Sequence, residues 1–113
     1  MKVVQIDQVP WSNPAGRKGV KHRWALDGKT TDNKHFELIF SVQEKGGHGP
    51  LHNHPHSEHV LIVTQGELTL SNETEKHVVP AGSFILLEAG EMHEVNNTFD
   101  GETHYMAIYS PPL

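Results

Sequence analysis

Histidine dominates the chemistry open to this sequence. The 113-residue chain holds ten, and five of them, His48, His52, His54, His56 and His59, fall within twelve residues. In an extended strand, residues two apart project from the same face, so the imidazoles of His52-Asn53-His54 can turn their nitrogens toward one ion. Neutral imidazole suits Mn, Fe, Ni, Cu or Zn. The chain has no cysteine, which removes disulfides, thiolate ligands and a cysteine nucleophile and leaves chemistry to nitrogen and oxygen groups. A lone His-X-His pair also occurs on solvated strands, so its surroundings decide what it means.

The elements that would position these rings read as strands. In His35–Val42 the even positions Phe36, Leu38, Phe40 and Val42 are apolar, which predicts a strand with that face toward a core. Val60–Val63 is apolar at every position, as expected for a strand covered on both sides. Leu68–Leu70, Val78-Val79, Phe84–Leu87 and Tyr105–Tyr109 supply further short strands. The segments Gln65-Gly66-Glu67, Asn72–Glu75, Pro80-Ala81-Gly82, Ala89-Gly90-Glu91 and Asp100-Gly101-Glu102 read as turns. Many short strands at regular intervals predict an all-β sandwich or barrel, and the length fits one domain, 1–113.

The wider spacing carries a family resemblance. Gly46, five residues, His52-X-His54, four residues, His59, six residues and Gly66 follow the first cupin motif (46–66), with His59 where Glu is usual. Gly82, five residues, Glu88, one residue, Gly90, two residues, His93, three residues and Asn97 follow the second (82–97), with Glu88 where Pro is usual. The chain therefore resembles a small single-domain cupin. That resemblance implies a double-stranded β-helix, or jelly roll, with His52, His54 and His93 as metal ligands. Counting back from Gly66 puts His59 in the fourth ligand position, as in the four-histidine monocupins, several of which bind manganese. Glu58 is the rival in the shorter form of the motif. One divalent transition metal per chain is implied, with Mn favoured and Fe, Ni, Cu or Zn open. Asn97 is expected to support the site without touching the metal.

Other residues divide between core and site. Leu38, Phe40, Phe84, Ile85, Leu87, Tyr105, Ala107 and Tyr109 are candidates for barrel core or pocket lining; Tyr105 and Tyr109 share a strand face, carry hydroxyls and are the candidate catalytic residues. His48 and His56 flank the ligands. His22, His35, His77 and His104 read as surface groups. Arg23 and Trp24 fall at an edge that suits a dimer interface or a ligand contact, and Glu88, Glu91 and Glu94 read as solvated turn residues around His93.

Function is constrained more by exclusion. Fourteen acidic residues against nine basic ones, with no Lys/Arg block, speak against nucleic acid as a partner. Met1–Asp7 lacks a signal-peptide core and no run is long enough for a membrane span, so a cytoplasmic protein is expected. Nucleophilic triads and phosphate loops find no support. What the resemblance implies is a metal-dependent enzyme, oxygenase-like, acting on a small organic substrate that chelates through oxygen, in a homodimer. Two alternatives stand beside it. One is a uronate-sugar-processing or lyase/isomerase cupin, for which the His52-Asn53-His54-Pro55-His56 run and Ser110-Pro111-Pro112 end speak; the other is a non-catalytic metal and small-molecule binding module.

Overall fold

The computed structural model describes residues 1–113 and is all β apart from one 3-10 turn at Ile6–Gln8. Eight strands follow: β1 (Lys18–Leu26), β2 (Glu37–His52), β3 (Glu58–Gln65), β4 (Glu67–Ser71), β5 (Lys76–Pro80), β6 (Phe84–Leu87), β7 (His93–Asn96) and β8 (Thr103–Ser110). Their hydrogen-bonded order is β5-β4-β7-β2-β8-β3-β6, with β1 alongside β2. The architecture is the cupin jelly roll. No helix is long and apolar enough to cross a membrane.

Strand β2 joins the two walls of the barrel. Its first half pairs with β1 and β8, and its last residues pair with β7 after a register shift between Gly49 and His52. One wall is thus β1-β2-β8-β3-β6 and the other is the end of β2 with β7, β4 and β5. Residues from both walls, among them Ile39, Leu61, Val63, Leu68, Leu70 and Val95, form one buried apolar cluster. Each such side chain, fully buried, contributes about 1.5–3 kcal/mol.

The face assignment for β2 is reversed at Leu38 and Phe40, while Val42 is buried as expected. Ile39, Ser41 and Gln43 point into the barrel and are each 1% exposed, whereas Leu38 and Phe40 lie half-buried on the outer surface. Alternation reports that a strand has two faces, and a polar barrel interior defeats the assumption that the apolar face is the inner one. Val60 and Ile62 are outward and half-buried, while Leu61 and Val63 face inward. Leu38 and Phe40 therefore leave the set of pocket candidates, Phe84 is exposed and lines a cavity between β5 and β6, and Ile85, Leu87, Tyr105, Ala107 and Tyr109 remain with the core.

Two turns hold this frame in register. Gly66, between β3 and β4, has φ +79°, and a Cβ there would stand 2.5 Å from the Thr103 hydroxyl. No other residue fits without moving β8. Asn97 is buried and donates its amide to the carbonyls of Gln43 (3.0 Å), Glu44 (2.9 Å) and Gly101 (2.8 Å). Its oxygen accepts from the Phe99 backbone (3.0 Å) and the Thr103 hydroxyl (2.9 Å). Asn97 therefore ties β2 to the β7–β8 connection and makes no bond to a histidine.

Candidate metal centre

Four imidazoles converge inside one end of the barrel. His52 ends β2, His93 opens β7, and the two are direct cross-strand partners. Their ring centroids are 4.4 Å apart. His54 lies just beyond β2 in the loop to β3, with its ring 4.9 Å from that of His52 and 5.5 Å from that of His93. The loop is pinned from two sides. Gly90 N–H donates to the His54 carbonyl at 3.0 Å, and the buried Ser57 hydroxyl donates to Pro111 O at 2.7 Å. The glycine of the second motif thereby holds a ligand of the first.

His52, His54 and His93 each offer one ring nitrogen, and the three nitrogens lie within 4.8 Å of one another. Backbone carbonyls set the tautomers of two of them. Nδ1–H of His52 donates to Pro50 O at 2.6 Å and Nδ1–H of His93 to Glu91 O at 2.9 Å, so the free lone pair in each ring is on Nε2. Nε2 of His54 and of His93 is buried without a hydrogen-bond partner. A buried polar atom without a partner costs about 1–3 kcal/mol, and a metal ion at this point would satisfy both. The donor set fits a divalent transition metal.

His59 faces the same space, with its ring 5.2 Å from that of His54 and 5.5 Å from that of His93. Both of its ring nitrogens are buried and unpartnered. Glu58, one residue earlier, is exposed on the opposite face of β3. Tyr109 stacks on His59 at 4.2 Å and 22° and meets the edge of His54 at 5.0 Å. Tyr105 is four residues back along β8, about 13 Å at strand rise, where its hydroxyl accepts from the Gln43 amide at 3.2 Å. The structure therefore brings Tyr109 to the histidines and places Tyr105 with Gln43 deeper in the barrel.

Burial is the main influence on the protonation of every ring in the cluster. It lowers His52, His93 and, most strongly, His59; it takes His54 down to about 4, helped by His52, His93 and Arg17. All four are therefore neutral near pH 7, the state in which an imidazole can ligate, and His52, His54 and His93 are the three whose nitrogens gather on one point. Burial raises both tyrosines, so their hydroxyls stay protonated and act as hydrogen-bond groups, not as phenolates.

The remaining predicted residues scatter. His22, expected at the surface, is buried inside the barrel beside Ser41, its pKa lowered to about 4 by burial and by Arg17. His35, His56 and His77 are exposed; His48 bonds Asn96, and His104 packs edge-on against Phe40. Arg23 lies over the Trp11 ring at 4.0 Å and Trp24 packs against the core. Glu88 is exposed, Glu91 accepts from the Glu88 N–H, and Glu94 accepts from Ser71. Arg17, which the motifs do not reach, is the residue that sequence reasoning missed: its Nη2 lies 3.2 Å from His52 Nε2. A cavity of about 400 Å³ opens between β5 and β6 and reaches His93, its lining shared between apolar residues such as Leu70, Phe84 and Leu87 and polar ones such as Asn72, Glu75 and His77.

Residues 38–109 match the Cupin domain model of the Cupin_2 family. The chain is a cupin. A search of curated proteins gives no match. Among solved structures, this cupin is similar to a predicted oxalate decarboxylase of Thermotoga maritima, at 22% identity over 97% of this chain and 99% of that one, TM-score 0.84. It is also similar to KdgF from Halomonas sp., at 16% identity over 97% of this chain and 94% of that one, TM-score 0.83. The polyketide cyclase RemF from Streptomyces resistomycificus gives 23% identity over 97% of this chain and 79% of that one, TM-score 0.84. At such identities the likeness speaks for the fold alone.

Proposed function

We propose that this cupin is a metal-dependent enzyme, oxygenase-like, that acts on a small organic substrate chelating through two oxygens. One observation carries the reading: three imidazoles turn nitrogens onto one point beside a cavity of about 400 Å³, with a fourth imidazole against them and no carboxylate in the set. His52, His54, His93 and His59 would hold the metal, Mn before Fe, Ni, Cu or Zn. When bound, the metal would supply Lewis acidity and, as Mn or Fe, a redox centre for oxygen. The chain's own groups do the rest. Pro50 O and Glu91 O fix the ring orientations, and the cavity beside His93 offers apolar and polar side chains in equal number to a substrate. Tyr109, stacked on His59 and protonated, would donate its hydroxyl to a bound substrate oxygen, and Tyr105 holds the inner wall through Gln43.

The test is turnover by metal-loaded protein on diketones, catechols and unsaturated uronates, with oxygen uptake followed alongside product. Oxygen-coupled conversion that is lost in His93→Ala supports the proposal. Conversion without oxygen uptake moves it to lyase or isomerase chemistry, which the sugar phosphate isomerase from Silicibacter pomeroyi among the similar structures makes the second reading. Ligand binding with no conversion leaves a binding module.

We also propose that the protein is a homodimer through the outer face of the larger wall. Cross-strand pairing sets Leu38, Ile108, Val60 and Leu86 in one row and Phe40, Met106, Ile62 and Phe84 in the next. Phe84 is 70% exposed and Leu86 58%. The exposed β6 end of these rows suits a two-fold contact.

A further inference from the structure

Arg17 stands against the metal centre with nothing acidic to hold it. It lies just before β1, and its stem passes over Gly49, where an added Cβ would come within 3.9 Å of Arg17 Cδ. The guanidinium donates to His52 Nε2 at 3.2 Å, the lone pair that His52 would give a metal. None of the ion pairs in the molecule involves Arg17, and its one side-chain bond within the protein is to His52, so most of its five donors are open to a ligand. The ligand set contains no carboxylate either. With a divalent ion on neutral imidazoles, the pocket would carry the ion's charge of about +2 and the guanidinium's +1, partly buried and without an internal counterion. A chelating ligand that brings negative charge relieves this; a neutral one does not.

We infer that Arg17 is the specificity-determining residue of this site and selects a small carboxylate-bearing chelator, such as a dicarboxylate or a 2-oxo or 2-hydroxy acid. The inference rests on the imidazole metal centre proposed above and names its substrate class. The ligand's chelating oxygens take the open positions on the metal while its carboxylate draws the guanidinium off His52 into a charge-assisted, bidentate pair. Before such a ligand arrives, Arg17 competes with the metal for His52 and repels it, so the metal alone binds less tightly than four imidazoles would allow.

The experiment compares wild type, Arg17→Ala and Arg17→Lys, each loaded with Mn(II) and assayed for metal content. Malonate and its neutral diamide, malonamide, are then titrated in by calorimetry. Malonate affinity should fall about 10–100-fold in Arg17→Ala and recover in part in Arg17→Lys, with malonamide binding unchanged. Affinity for Mn(II) without any chelator should rise several-fold in Arg17→Ala. Equal malonate affinity in metal-loaded wild type and Arg17→Ala, or no malonate binding by loaded wild type, overturns the role of Arg17 and leaves the metal centre standing. Failure of wild type and variants alike to take up a divalent metal overturns both.

Discussion

The two faces of the wall formed by β2, β8, β3 and β6 are built from the same strands and oppose ordinary expectation. The inner face carries His59, Tyr109, Tyr105, Ser41 and Gln43 among its apolar residues. The outer face carries the two apolar rows that end in Phe84 and Leu86. In most half-buried sheets the polar face meets water. Here an enclosed polar cluster takes the inside and apolar side chains lie outside. A barrel interior lined by a cluster of imidazoles need not be its most apolar surface.

If the inner face is the metal centre, removing one ring should abolish metal retention and spare the wall. His93→Ala is expected to lower metal affinity by more than the ~10–100-fold typical of losing an outer support, with the circular dichroism spectrum unchanged. If the outer face is the contact surface, a Phe84→Glu, Leu86→Glu double variant should halve the mass measured by light scattering while metal content per chain holds. Loss of metal together with the dimer would join two faces that the account keeps separate.

Asn97 sharpens the same division between scaffold and site. Asn97→Ala removes the side-chain partner of three carbonyls and of the Phe99 N–H, while Thr103 keeps Glu67 O, and is expected to cost about 2–4 kcal/mol in denaturant unfolding, with metal stoichiometry unchanged in the folded fraction. A smaller effect is expected from pH. His22 and His54 are lowered to about 4 in the fold and return to about 6.5 when unfolded, so the unfolded chain binds more protons between these values. Stability of the metal-free protein should therefore be full above pH ~6.5 and fall progressively toward pH ~4, read from the thermal midpoint. A midpoint that rises on acidification would contradict the burial of these rings.

Much of the site was legible because its residues sit in a fixed count from turn glycines. Gly66 can tolerate no side chain beside Thr103, and with β3 so anchored, alternation from His59 through Leu61 and Val63 puts the imidazole inside and Glu58 outside. The strands were legible too, since turn residues punctuate them. What escaped were properties set by contacts across the fold. Whether Leu38 or Ile39 faces the core depends on what the barrel encloses, and Trp11, Phe40 and His104 meet only because the N-terminal segment folds back over β2. Arg17 was missed for the same reason: 35 residues separate it from His52, and no local pattern marks that approach.

If imidazoles alone form the protein's share of one metal site, X-ray absorption of the metal-loaded protein should show it. One equivalent of a divalent transition metal per chain is expected, with scattering from four imidazoles and the remaining positions filled by oxygen. Three imidazoles with a carboxylate, or no specifically bound metal at all, would contradict it.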